Sequence, residues 1–430
     1  MSADGAAPPL RQARAAKRLA RLPIFTERDY LIANPDVAQA GIDAVTHALQ
    51  NGAAEGRTLF SETALARAYG RAGRRGTAAE RAGGSHGCDA ARAGHRCAIL
   101  VHSLSDEAYR ETAQDLAADL SGLGFDVTMA DETADPWGDH GTAIVVAPND
   151  FFSLGLGQLW AEPSIVGDML VVMDDPVESI EGGRCLRPLL NARGAIELSA
   201  VGADLWAEAD IPTFRLLPKV RVRDRWLEAA DLGHPLMLAA PERAREAECH
   251  PLDWSRRPLD LLFFARESSR RNAALGRLAG SLAPHRCFVY AQQGIVSKAE
   301  ERLHRGAHWR ISGHLSTQAR LTLHLSEGRF PALERRRIVV QAMAGGSAVV
   351  STARFADPGL EPGSHYFHED AKHIGPLIDW LILDPDGRRA AERVRDRAFD
   401  RIAAVNRDRT RLAGLGAFLV DRGGPEGRMP

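Results

Sequence analysis

CAILVHSL at 97–104, DEAYRETAQDLAADLSGL at 106–123, FDVTMA at 125–130 and TAIVVAP at 142–148 follow one another closely in the chain, and their order decides the fold. The three short runs are aliphatic and β-branched, so they read as strands, and the longer polar stretch between the first two reads as a helix. A strand apolar along its whole length is covered on both faces, and strand–helix–strand order makes the sheet parallel. The rhythm continues with DMLVVM at 168–173, a helix through Leu189, AIELS at 195–199 and a strand at 213–217. A polar stretch at 241–257 interrupts it. The alternation restarts with LDLLFFA at 259–265, a helix at 268–282, a strand at 287–291, LTLHL at 321–325, a helix at 332–344, AVVS at 348–351 and helices at 372–383 and 388–404. The expected fold class is α/β, with two Rossmann-like domains facing a cleft, because ligands of such sheets sit beyond the carboxyl ends of the strands.

Upstream of this alternation lies a small helical module. Thr26 followed by Glu27 and Asp29 marks a helix start, Asn34-Pro35 ends that helix, and Gly41 and Gly52 mark later turns. The stretch at 71–95 is rich in Gly, Ala and Arg with no apolar period and reads as a flexible linker. The expected boundaries are therefore 1–70 for the helical module, 71–95 for the linker, 96–240 for the first Rossmann-like domain, 241–257 for the connection, 258–410 for the second domain and 411–430 for a C-terminal tail.

Composition narrows the function classes. The chain has 430 residues, 45% hydrophobic and 26% charged, which is ordinary for globular domains and excludes wholesale disorder and fibrous repeats. Lys+Arg 54 against Asp+Glu 56 leaves a net charge of −2, too little field to attract nucleic acid or anionic lipid. Only Lys17, Lys219, Lys298 and Lys372 are lysine, so arginine abundance alone is weak support for a phosphate site. The five cysteines are scattered with no C-x-x-C pair, and no apolar window reaches the length of a signal peptide core or a membrane span; a cytoplasmic location is expected. No G-x-G-x-x-G follows a strand, which disfavours a dinucleotide oxidoreductase.

The segment at 327–352 carries the most chemical information. Pro331 suits the first position of a helix, and Gly345-Gly346 supplies the left-handed cap that turns the chain into AVVS. Glu334, Arg337 and Gln341 stand at i, i+3 and i+7 and share one face, while Ile338, Val339, Ala342 and Met343 can face the sheet. The start of this helix would suit a diphosphate; the plain alternative is an amphipathic helix with a solvated polar face.

These residues bring in a resemblance. The run from Glu334 to Thr352 resembles the donor-binding helix and strand of bacterial GT-B-fold glycosyltransferases of the group-1-like kind, whose pattern reads E-A-M-A-x-G-x-x-V-V. Pro358-Gly-Leu360-Glu-Pro362-Gly363-Ser-His365-Tyr366-Phe367 and the helices near Asp379 and Asp384-Pro385 are similar to the loop and paired C-terminal helices of that family. The strand ending at Phe264 followed by Arg270-Arg271 resembles the first strand and loop of the same domain, and 144–155 with 187–199 looks like the acceptor-side domain. The module at 30–57 is similar to one often found beside such domains. One departure stands out: Gln341 occupies the place of the family's second glutamate, so the stereochemical outcome is not carried over, although an amide can still hydrogen-bond a hydroxyl.

The resemblance implies a bacterial, cytoplasmic glycosyltransferase of polysaccharide biosynthesis that moves a sugar from a nucleotide sugar to a saccharide or other hydroxyl acceptor. Arg270, Arg271, His324, Glu334, Arg337, Gln341, His365 and Tyr366 are the expected donor-binding residues. Among the N-domain strand ends, His102, Asp150 and Asp174 are the candidate general bases, with Asp150 favoured because it follows IVVAP and precedes Phe151-Phe152. No metal or other cofactor is expected, because enzymes of this fold stabilise the leaving diphosphate with helix ends and basic groups; Asp174-Asp175 would point to opposite faces of a strand. The rival is a non-catalytic nucleotide- or saccharide-binding protein that keeps the fold.

Overall fold

The computed structural model describes residues 9–52, 55–75, 94–173, 186–223, 225–245, 254–292, 306–326, 337–355 and 359–420. The chain divides into two compact units, Met1–Pro218 with Arg409–Pro430, and Lys219–Asp408. Both are built on parallel sheets, the two Rossmann-like units expected from the alternating pattern.

In the first unit the strands are β1 (Arg96–Val101), β2 (Asp126–Ala130), β3 (Thr142–Val146), β4 (Leu170–Met173), β5 (Gly194–Glu197) and β6 (Thr213–Arg215), in the order β2-β1-β3-β4-β5-β6. The register runs Ile99↔Met129 on one side of β1 and Ile99↔Ile144 on the other. Chain order reverses between β1 and β3, which makes their carboxyl ends a topological switch point. Ile99, Leu116, Leu120, Ile144 and Val172 are buried in one core with Leu412, Leu415 and Leu419. Those last three correct the expected C-terminal tail: Leu415–Val420 is a helix packed into the first unit. Arg411, buried, pairs with buried Asp119 on the helix Glu107–Gly122 and donates to the Leu217 carbonyl.

The helical module belongs to this same unit. Thr26 caps its helix by accepting from the Asp29 amide, and Asn34 both ends that helix and precedes the next, as the sequence pattern requires. The helix Pro9–Arg21, not anticipated from the sequence, docks through Arg18, whose guanidinium donates to the Leu190 and Ala192 carbonyls at 2.8 and 2.7 Å. Burial pulls that guanidinium down to about 9. Helix Glu62–Arg75 extends into the expected linker; residues 76–93 lie outside the described residues.

The second unit holds β7 (Leu259–Arg266), β8 (Cys287–Gln292), β9 (Ala319–His324), β10 (Ala348–Ser351) and β11 (Phe367–His368), in the order β11-β10-β9-β7-β8. Its switch point lies between β7 and β9. Alternation along β7 fills both faces: Leu261 and Phe263 pack with the helices Ser269–Leu282 and Ile374–Leu383, Leu262 and Phe264 with the helix Ala307–Gln318. The helix Ala307–Gln318 escapes the sequence pattern because its few apolar residues, Ile311 and Leu315 among them, stand among polar ones and it carries Gly313. That glycine lets Trp226 lie flat on the helix; a Cβ there would stand 2.4 Å from the indole. The expected boundary at 240/241 falls inside this unit, since 219–240 packs here through Val220, Trp226, Leu227 and Met237.

Candidate functional site

At the carboxyl edge of the second sheet, β9 and β10 are stitched together by their terminal polar residues. His324 ends β9 and places its Nδ1 3.0 Å from the Ser351 hydroxyl, which ends β10. The same hydroxyl accepts from the Ala353 amide at 2.9 Å. Thr352 accepts from the Ser326 amide at 2.8 Å, and its own amide donates to the His324 carbonyl at 3.0 Å. The loop then passes through exposed Arg354 to Phe355, whose amide donates to the Tyr366 hydroxyl at 3.1 Å. Short hydroxyl side chains immediately after apolar strands thus fix the loops over the switch point.

The expected donor residues divide against this geometry. Arg271 is buried in the first turn of its helix; Nε donates to the Leu325 carbonyl at 2.9 Å and an Nη to the Arg266 carbonyl at 3.1 Å. It therefore clamps the loop ends of β7 and β9 across the switch point. Its neighbour Arg270 is exposed, as is Arg266 at the end of β7. Gln341 departs from the expected ligand-facing stripe. It is buried, accepts from the Ser312 hydroxyl at 2.9 Å and donates to the Trp309 carbonyl at 3.0 Å, so its amide joins the helix Arg337–Ala344 to the helix Ala307–Gln318. Periodicity alone could not distinguish a polar side chain facing a ligand from one facing an unanticipated helix. Arg337 is half-buried at the first described position of its helix. Glu334 and Pro331 lie outside the described residues.

Tyr366 is fully buried beside Phe355, with ring centroids 4.9 Å apart, and burial pushes its phenol up. It braces the loop instead of lining its open side. His365 is half-buried, with Nδ1 accepting from the Glu361 amide at 3.0 Å. Burial holds this imidazole below its usual value; Arg401 and Arg397 add to the shift and Glu361 opposes it. Among the described residues, Glu369, Asp370 and His373 are close enough to share a cation, all on the chain just after β11.

At the switch point of the first sheet, His102 follows β1. Its Nδ1 accepts from the Leu104 amide at 2.9 Å and its Nε2 donates to the Leu154 carbonyl at 3.1 Å. That pairing engages both ring nitrogens with the backbone of the fold. Glu132, which the sequence reading passed over, accepts from the Ser103 amide at 2.7 Å and hydroxyl at 2.5 Å, and lies 3.6 Å from His102. Burial pushes this carboxyl up, but the Ser103 bonds and His102 outweigh it and hold the group below its usual range. The acidic pair Asp131-Glu132 directly after a strand was the available signal.

Asp150 is half-buried in the first turn of the helix Pro148–Ser153, four residues beyond the end of β3. The turn into that helix is made by Ala147 at φ 53, ψ 64, a left-handed conformation that costs a non-glycine residue on the order of 1–3 kcal/mol. The helix is then held from above: a Cβ at Gly157 would meet the Phe151 carbonyl at 1.8 Å. Sterics and a strained turn together place Asp150 at the switch point. Asp174 lies outside the described residues.

No family model matches the chain, and no curated protein sequence matches it. Among solved structures, it is similar to Anabaena Alr3699/HepE in complex with UDP-glucose, at 13% identity and a TM-score of 0.47, over 73% of this chain and 97% of that one. It is also similar to an alpha1,3-fucosyltransferase with GDP-fucose, at 11% identity and a TM-score of 0.36, over 80% of this chain and 96% of that one.

Proposed function

We propose that the chain transfers a sugar from a nucleotide-sugar donor to a saccharide or other hydroxyl acceptor, the second unit holding the donor and the first the acceptor. The observation that carries this reading is the switch-point edge of the second sheet, where Arg271 ties the end of β7 to the end of β9, exposed Arg266 and Arg270 lie next to it in the chain, and His324, Ser351 and Thr352 fix the ends of β9 and β10. Phosphate groups are recognised by such fixed polar rims with guanidinium neighbours. The resemblance of 334–352 to a donor-binding helix and strand supports the same assignment. In the reaction the bond from the anomeric carbon to the diphosphate oxygen breaks, the bond to the acceptor oxygen forms, and the acceptor proton passes to a base. Asp150 is the assigned base, since His102 is engaged at both ring nitrogens. Gln341 does not favour the non-catalytic rival, because its amide is a packing element between two helices.

A thermal-shift panel of nucleoside diphosphates and nucleotide sugars tests the reading, because a ligand bound only by the native state raises its apparent stability. At least one nucleotide sugar should stabilise the protein and be consumed when a suitable acceptor is added. A panel without a single stabilising nucleotide would overturn the proposal, and binding without transfer or hydrolysis across a broad acceptor panel would select the rival.

A further inference from the structure

Arg354 is an exposed cation between two buried, hydrogen-bonded neighbours. Its neighbours Ala353 and Phe355 are 0% and 7% exposed. The loop is tied by the Ala353 amide to Ser351, by the Thr352 amide to His324 and by the Phe355 amide to Tyr366. Among the described residues no carboxylate forms an ion pair with it; the acidic side chain that follows β11, Glu369, accepts from the Asp370 amide and lies 3.8 Å from His373. A backbone pinned in this way reduces the ordering cost of binding an anion.

Register places this charge relative to the switch point. Ser351 on β10 pairs with His324 on β9, and β7 flanks β9 on the other side, with Leu262 opposite Thr322. Continuing the β7 register puts Arg266 two residues beyond the level of His324, whereas β10 ends at Ser351 and the chain bends through Thr352 and Ala353 into Arg354. The two exposed arginines thus leave the sheet on either side of β9, from strands about 10 Å apart at the usual strand spacing. Two cations on the chain segments that flank the end of β9 suit a diphosphate bound there.

We infer that Arg354 contacts the diphosphate of the donor. This rests on the donor reading above and replaces Arg271, which the fold uses as a clamp, with a residue that no sequence motif marked. A guanidinium would equally take a carboxylate, as in a uronic-acid sugar, so the ligand set must separate the two anions.

The test is binding of nucleosides, nucleoside diphosphates, inorganic pyrophosphate and nucleotide sugars with and without a sugar carboxylate to the full chain, its Arg354→Gln and Arg354→Lys variants. Wild type should bind the preferred nucleoside diphosphate more tightly than its nucleoside. Arg354→Gln should weaken that diphosphate about 10- to 100-fold, the span expected for a charge-assisted hydrogen bond, leave nucleoside binding and the ligand-free melting temperature unchanged, and Arg354→Lys should recover part of the loss. Equal binding of the diphosphate by wild type and Arg354→Gln would refute the Arg354 assignment and leave the donor reading intact. A loss confined to carboxylate-bearing sugars would also refute it, in favour of a sugar contact. A wild type that binds no nucleotide at all would remove the donor reading itself.

Discussion

The pairing of Asp119 with Arg411 offers a sharp test of how the first unit is closed. Both side chains are nearly inaccessible, 6% and 2% exposed, and Arg411 also donates to the Leu217 carbonyl at 3.2 Å. Removing one partner leaves the other charge buried without compensation, at a cost of about 3–5 kcal/mol. Arg411→Met and Asp119→Leu should each destabilise by that amount, whereas the double variant should recover most of it, because a well-packed apolar pair is often as stable as a buried ion pair. Native-state hydrogen exchange read on peptides separates the units. Amides of β1 and β3 should exchange roughly a hundred- to a few-thousand-fold faster in the single variants, while those of β7 and β9 keep their wild-type protection. Single-variant losses below about 1 kcal/mol, or accelerated exchange confined to β7 and β9, would show that 409–420 does not close the first unit through this pair.

Gln341→Glu should lower stability by about 1–3 kcal/mol, because a carboxylate would face the Trp309 carbonyl that the amide now serves; an unchanged melting temperature would contradict the packing role. Asp231 is buried, which raises its carboxyl, but the paired bonds from Arg310 and the Glu228 amide prevail and hold it below the usual range. A depressed folded value means the stabilisation is complete above the unfolded carboxylate value, about 4, and is lost as pH falls through the folded one, so acid unfolding of the second unit should become less steep in Asp231→Asn. An acid limb identical in the two proteins would exclude this coupling. Asp150→Asn should lower sugar transfer while leaving nucleotide binding intact, and a fully active variant would remove Asp150 as the base.

The parallel strands could be read from the sequence because they are short apolar runs buried on both faces; LDLLFFA at 259–265 matches β7 to within one residue. Elements held by something other than their own apolar pattern could not. Ala307–Gln318 sets Ile311 and Leu315 among polar residues around Gly313, against which Trp226 from a distant segment lies. The stretch at 411–420 resembles a tail until Asp119 and the core of the first sheet are seen to receive it. The candidate site suffered from the same blindness. His102, Arg271 and Tyr366 are polar groups at strand ends, as a ligand site demands, yet each satisfies backbone groups that bare loops would leave unpaired. Arg354 went unmarked because, in a chain so rich in arginine, only geometry separates an idle cation from a poised one.

The interruption of the first unit by the second fixes an order of events during synthesis. Residues 219–408 emerge from the ribosome before 409–420, and Asn406 already clasps the Val220 backbone at 2.9 and 2.6 Å to bring the entry and exit of that stretch together. The second unit can therefore complete its structure while the first, begun earlier, still lacks Leu412, Leu415 and Leu419 from its core. Domains usually mature in the order they are made. Here the amino-terminal unit must wait, its sheet incompletely covered, for the last segment of its own core.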